Sequence, residues 1–132
     1  MHKQREIKFR AWDKGKKSMT MLGASGEDIL YFEGENIYWT RNHDGDGYIV
    51  GGFELMQFTG LKDKNGKEIY EGDLVRYQWG IAEKVTSIGK VEYLVDGFTL
   101  EPRRYPIYLK DAFEKEVVGN IYENPELLKV MA

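Results

Sequence analysis

The sequence predicts a mainly β protein, β or α+β, with a small barrel in its C-terminal part, an N-terminal β annex and a short C-terminal helix. Three observations carry this reading. Short runs of alternating apolar and polar residues recur along most of the 132-residue chain. Clusters of Gly, Asp and Asn separate these runs where the chain must turn. No run is followed by the amphipathic helix that a doubly wound α/β fold requires.

The elements follow in order. Ile7–Trp12 alternates, which places Ile7, Phe9 and Ala11 on one face and Lys8, Arg10 and Trp12 on the other. Asp13–Lys17 is a turn by composition, and Met19–Leu22 returns as its partner strand. Ile29–Glu33 and Asn36–Thr40 flank Gly34-Glu35 and predict a hairpin rich in aromatic residues. The stretch Asn42–Gly52 holds four glycines and predicts a boundary or a mobile loop. Domains are therefore expected at 1–52, the β annex, and 53–132, the barrel with its helix.

From Phe53 the strand pattern resumes. Phe53–Thr59 leads to Asp63–Lys67, where Asn65-Gly66 is the pair that a type I′ turn prefers. Tyr70-Glu71-Gly72-Asp73 turns the chain into Leu74–Trp79, with Val75, Tyr77 and Trp79 on one face. Ile88–Val95 and Phe98–Glu101 are joined by Asp96-Gly97. Tyr105–Leu109 and Glu116–Tyr122 are the last strands. Asn124-Pro125-Glu126 then reads as a helix start, with a cap residue, Pro at the first position and an acid in the first turn.

Composition excludes several function classes. With no cysteine the chain can have no disulfide framework, iron–sulfur cluster, thiolate zinc site or thiol nucleophile. No apolar run approaches the ~18–20 residues that a membrane-spanning helix needs. The opening residues are polar and mixed, not an apolar signal core, so no membrane role and a cytoplasmic location are expected. The formal charge of −3 is an average: residues 1–17 carry a net +5 and residues 18–132 a net −8. Such an arm on such a body predicts attraction between them, within one chain or between chains.

The catalytic inventory is thin. There are only two histidines, and no G-x-S-x-G elbow. No phosphate-binding glycine loop is present. Asn42-x-Asp44-x-Asp46-Gly47 opens like a calcium loop, but its twelfth position is Phe53 instead of the bidentate Glu, so an exposed hairpin loop is expected. Glu71 and Asp73 flank Gly72 and would have to serve as an acid–base pair in any carboxylate-dependent hydrolase. Hydrogen bonding to their own turn is the simpler role for them. No catalytic residue, metal ligand or cofactor is assigned.

Basic–aromatic clusters are the strongest lead toward binding. Lys8, Arg10 and Trp12 share a predicted strand face, Arg76 and Trp79 lie on one strand, and Arg103-Arg104-Tyr105 adds a third patch. Cation plus ring is the chemistry of single-strand nucleic-acid surfaces. The acidic body opposes phosphate, so nucleic acid is a possible partner but not the favoured one.

One long stretch, Leu55-Met56-Gln57-Phe58-Thr59-Gly60-Leu61-Lys62-Asp63-Lys64-Asn65-Gly66-Lys67-Glu68-Ile69-Tyr70-Glu71-Gly72-Asp73-Leu74-Val75, resembles the signature of the YopX family. The opening Arg5–Asp13 and the closing Val118–Leu128 resemble it too, in the expected order. The resemblance implies a phage- or prophage-encoded cytoplasmic protein with an SH3-like barrel in its C-terminal part. It further implies self-association and no established catalytic residues. An accessory protein that binds host or phage macromolecules, without enzyme activity, is the expected function. Within the signature, Gly60, Asn65, Gly66 and Gly72 read as turn positions, Tyr70 as a brace, and Asp73 as an acceptor of backbone N–H groups.

Overall fold

The computed structural model describes residues 6–23, 28–43, 46–50, 52–94, 96–101 and 107–130. Strands dominate, and the sheets are antiparallel and curled. The chain forms two compact units, one spanning Lys8–Met56 and the other made of the segment ending at Ile7 together with the chain from Gln57 onward.

In the first unit, β1 (Phe9–Asp13) and β2 (Ser18–Met21) form a hairpin in which Ala11 faces Thr20. Asp13 fixes the turn, since its Oδ1 accepts the N–H groups of Gly15 and Lys16 at 2.9 and 3.0 Å. β1 lies between β2 and β6 (Phe53–Lys62), whose first residues belong to this unit. The strand is not amphipathic as its alternation suggests. Ile7 is 65% exposed, whereas the successive residues Arg10 and Ala11 are both buried, so both faces of β1 are covered.

β3 (Asp28–Glu33), β4 (Asn36–His43) and β5 (Asp46–Val50) make a three-stranded meander. The predicted hairpin at Gly34-Glu35 is present, with Glu33 opposite Asn36. Trp39 is buried, meets Phe53 edge-to-face at 5.7 Å, and donates its indole N–H to Asp28 Oδ1 at 2.8 Å. The expected loop over Asn42–Gly52 is largely strand. β4 and β5 pair through it, with His43 opposite Asp46, because Tyr48-Ile49-Val50 supplies a β-forming return. Asp44, Gly45 and Gly51 lie outside the described residues.

The second unit is built on a five-stranded sheet ordered β11-β10-β9-β8-β12. Its strands are β8 (Asp73–Trp79), β9 (Val85–Leu94), β10 (Gly97–Glu101), β11 (Ile107–Tyr108) and β12 (Phe113–Asn120). The end of β6 pairs with β7 (Glu68–Tyr70) beside it. A 3-10 turn, Leu109–Asp111, connects β11 to β12, and α1 (Glu126–Val130) follows the last strand and packs on β9. Ile69, Val75, Tyr77, Val91, Leu100 and Leu109 form the core, flanked by Leu61, Trp79, Phe98 and Val117. Two register shifts in β12, the first beside Glu114 at φ 49°, bend that strand.

Signature residues converge on this core. Gly72 donates to the Val91 carbonyl and accepts from Ile121 N–H, both at 2.9 Å, so one turn ties β9 to the end of β12. Its φ of 84° favours glycine. Asp73, 2% exposed, accepts the Tyr70 N–H at 2.8 Å. Gly60 (φ 86°) sits where the β6–β7 register shifts. The Asn65-Gly66 turn differs from expectation. Gly66 N–H bonds the Asp63 carbonyl and Asp63 N–H bonds the Lys67 carbonyl, with positive φ on Gly66 and not on Asn65. That is a type I turn closed by a glycine bulge, not a type I′ turn.

Candidate binding surface around Tyr108

Two open grooves of about 400 and 390 Å³ lie on the second unit, and Tyr108 lines both. The first is bounded by Thr59, Leu61, Phe98 and Leu109, with Asp96 and Lys110 at its sides. The second is bounded by Trp79, Ile81, Ile107 and Phe113, with Asp111. The sequence places these residues by strand register and by one bend. Phe98 pairs across from Tyr93, and their rings meet edge-to-face at 5.1 Å. Phe113 starts β12 opposite Gln78, which brings it beside the end of β8 that carries Trp79. The 3-10 turn places Lys110 and Asp111 directly after Tyr108.

Polar contacts hold the rings in place. Tyr108 donates its hydroxyl to Asp96 Oδ2 at 2.6 Å. That hydrogen bond, with the Asp96 charge behind it, raises the phenol above its ordinary pKa, so the hydroxyl stays a neutral donor. Trp79 donates its indole N–H to Ser87 Oγ at 3.0 Å. Lys110 lies over the Tyr108 ring at 5.6 Å and Lys84 over the Phe113 ring at 5.8 Å. Phe113 is 52% exposed and Ile81 is fully exposed. Exposed apolar groups gathered around grooves are the usual mark of an interaction surface.

The residues singled out from sequence fall in different places. Trp79 lines the second groove. Arg76, three residues earlier on β8, points to the opposite face and pairs with Glu116 at 2.6 Å. Lys8 is exposed, Trp12 is half-buried, and Arg10 is 8% exposed. Lys8, Arg10 and Trp12 therefore do not form one open basic–aromatic face. Arg103 and Arg104 lie outside the described residues.

The carboxylates of the signature are engaged with backbone. Glu71 Oε1 accepts the Gln57 N–H at 2.8 Å, and Asp73 accepts that of Tyr70. Asp63 is the acceptor that sequence reading missed. Its Oδ1 takes the N–H groups of Asn65 and Lys67, and its Oδ2 that of Val117, all at 2.9 Å. Burial pushes this carboxyl up, but those three donors and the Lys67 charge outweigh it and leave the group below its ordinary value. Among the described residues, no cluster of three or more metal-ligating side chains is present. No helix of the described residues is long and apolar enough to cross a membrane. Tyr108, Phe98 and Phe113 were not legible as a site, because the 3-10 turn that brings them together has no marked sequence pattern.

The family model described as YopX protein matches residues 8–129. The solved structure of protein EF1440 from Enterococcus faecalis is 31% identical, with a TM-score of 0.59, covering 95% of this chain and 99% of its own. Protein yopX from Bacillus subtilis shares the fold at 20% identity and a TM-score of 0.66, covering 92% of this chain and 97% of its own. No curated protein shows significant similarity. A family model spanning nearly the whole chain, together with the strands and turns that the signature residues build, shows that the chain belongs to the YopX family.

Proposed function

We propose that this YopX-family chain is a non-enzymatic binding protein, encoded by a phage or prophage, that engages a host or phage macromolecule in the bacterial cytoplasm. One observation carries the reading: two aromatic-walled grooves meet at Tyr108 on the second unit. We read that unit as an SH3-like small barrel, on the support of its meandering five-stranded sheet and the 3-10 turn before the last strand. The carboxylates Glu71 and Asp73 lend no support to a hydrolase, since both accept backbone N–H groups. The +5 arm and −8 body favour self-association as well, and its weakening by salt would be read by sedimentation.

The test is recovery of a partner from cells carrying the induced prophage, with tagged wild type and Tyr108→Ala side by side. A macromolecule recovered with wild type and reduced about tenfold by the folded variant supports the reading. Equal recovery contradicts it. Nucleic acid is a second reading, favoured by the lysines over the Tyr108 and Phe113 rings. The burial of Arg10 and the acidic body weigh against it.

A further inference from the structure

We propose that Asn65 is a site of spontaneous conversion to isoaspartate, held in check by the hydrogen bonds around Asp63, and that the conversion unlatches the β6–β7 loop from β12. The chain has five asparagines: Asn36, Asn42, Asn65, Asn120 and Asn124. The reaction needs the main-chain nitrogen of the next residue to reach the asparagine Cγ, so a side chain on that residue hinders it. Asn65 alone precedes a glycine. Ile37, His43 and Ile121 follow three of the others, and Pro125, which has no N–H, follows Asn124. Asn65 and Gly66 are exposed, so water reaches both.

The chemistry needs only water. The Gly66 nitrogen gives its proton to hydroxide and bonds to Asn65 Cγ. The bond from Cγ to Nδ2 breaks, and the nitrogen takes up a proton and leaves as ammonia. Water then opens the cyclic succinimide at either carbonyl, giving aspartate or isoaspartate, and nothing is oxidised or reduced. The fold restrains the attacking atom. Gly66 N–H donates to the Asp63 carbonyl at 3.0 Å, while Asn65 and Lys67 donate theirs to Asp63 Oδ1 at 2.9 Å. The nitrogen must leave its hydrogen bond before it can lose its proton and turn toward Cγ, so local opening gates the reaction. Isoaspartate routes the main chain through its side-chain carbon, which adds an atom between the two N–H groups that Oδ1 accepts. The altered loop no longer places Asp63 Oδ2 and Lys64 N–H, which bond Val117 and the Lys115 carbonyl on β12.

The test ages purified wild type in warm, mildly alkaline buffer, folded and in guanidinium. Mass spectrometry with electron-transfer fragmentation then separates isoaspartate from aspartate at each site. Conversion is expected first at Asn65, and about tenfold or more slower in the folded chain than in guanidinium. Folded Asp63→Ala should close most of that gap. Hydrogen exchange of the wild-type Gly66 amide reads the restraint without a variant, and protection is expected. Protein aged to isoaspartate at 65 should melt below fresh protein, whereas fresh Asn65→Asp, which keeps the main chain, should not. Another asparagine converting first in guanidinium overturns the site. Equal rates in the folded and unfolded chain, an unprotected Gly66 amide, or folded Asp63→Ala as slow as wild type overturns the restraint. An unchanged Tm on ageing, or the same loss in Asn65→Asp, overturns the unlatching.

Discussion

Asp63 ties together two parts of the fold that are distant in sequence. Its two oxygens take three backbone N–H groups, two in its own hairpin loop and one in β12, fifty-four residues later in the chain. Asp63→Ala leaves three donors without an acceptor, and a loss of about 2–4 kcal/mol is expected from urea unfolding. The pH dependence follows from the lowered folded-state pKa. Stability from this carboxyl is fully present above the unfolded value of 3.8 and is lost as pH falls below it. The gap in Tm between wild type and Asp63→Asn should therefore narrow in acid; a gap that widens there would contradict the assignment. Sequence reading found Asp73 as a backbone acceptor because its N–H donor is local. It left Asp63 as one residue of a turn; the two local bonds follow the same Asx chemistry as at Asp73, and only the bond from Val117, on a distant strand, lay beyond a local reading.

At the scale of elements, the closing turn shows how a steric fit can replace a special backbone angle. Asn120 Oδ1 accepts the N–H groups of Tyr122 and Glu123 at 3.0 and 2.9 Å, and Asn124 Oδ1 accepts the Asn120 N–H at 3.2 Å. Asn124 can reach across because Gly119 has no side chain: a Cβ there would lie 2.5 Å from Asn124 Oδ1. Gly119→Ala should cost about 1–3 kcal/mol by thermal unfolding. The double variant with Asn124→Gly should lose less than the two single costs combined, because the clashing Oδ1, Cγ and Cβ are all gone. Most strands were legible from alternation and turn residues, but β5 was not, because its glycines read as a loop. The β3–β4 hairpin and α1 were legible from Gly34-Glu35 and Asn124-Pro125. Which face of β1 is buried was not, because both its faces are covered, with Arg10 and Ala11 both buried. Local alternation cannot report that. The turn type at Asn65-Gly66 was not read from the dipeptide, because Asp63 two residues earlier closes the loop locally, accepting the Asn65 and Lys67 N–H groups.

Across the whole molecule, the two units differ in how their strands are bonded. β8 and β9 lie inside a five-stranded sheet over the buried cluster of Ile69, Val75, Tyr77 and Val91, while β3 forms the edge of a three-stranded one. Amides of Val75, Tyr77 and Val91 should be among the slowest to exchange and those of β3 faster, which native-state hydrogen exchange would read. The reverse order would contradict the assignment of the core.

The most direct test of binding through the Tyr108 surface uses photocrosslinking in the phage-induced host. A benzophenone amino acid replaces Tyr108 or Phe113, with Glu123, which lines neither groove, as the control position. The prediction is a single crosslinked partner at 108 and 113 and none at 123. Equal crosslinking at all three positions, or none at 108 and 113 in a folded protein, would contradict it.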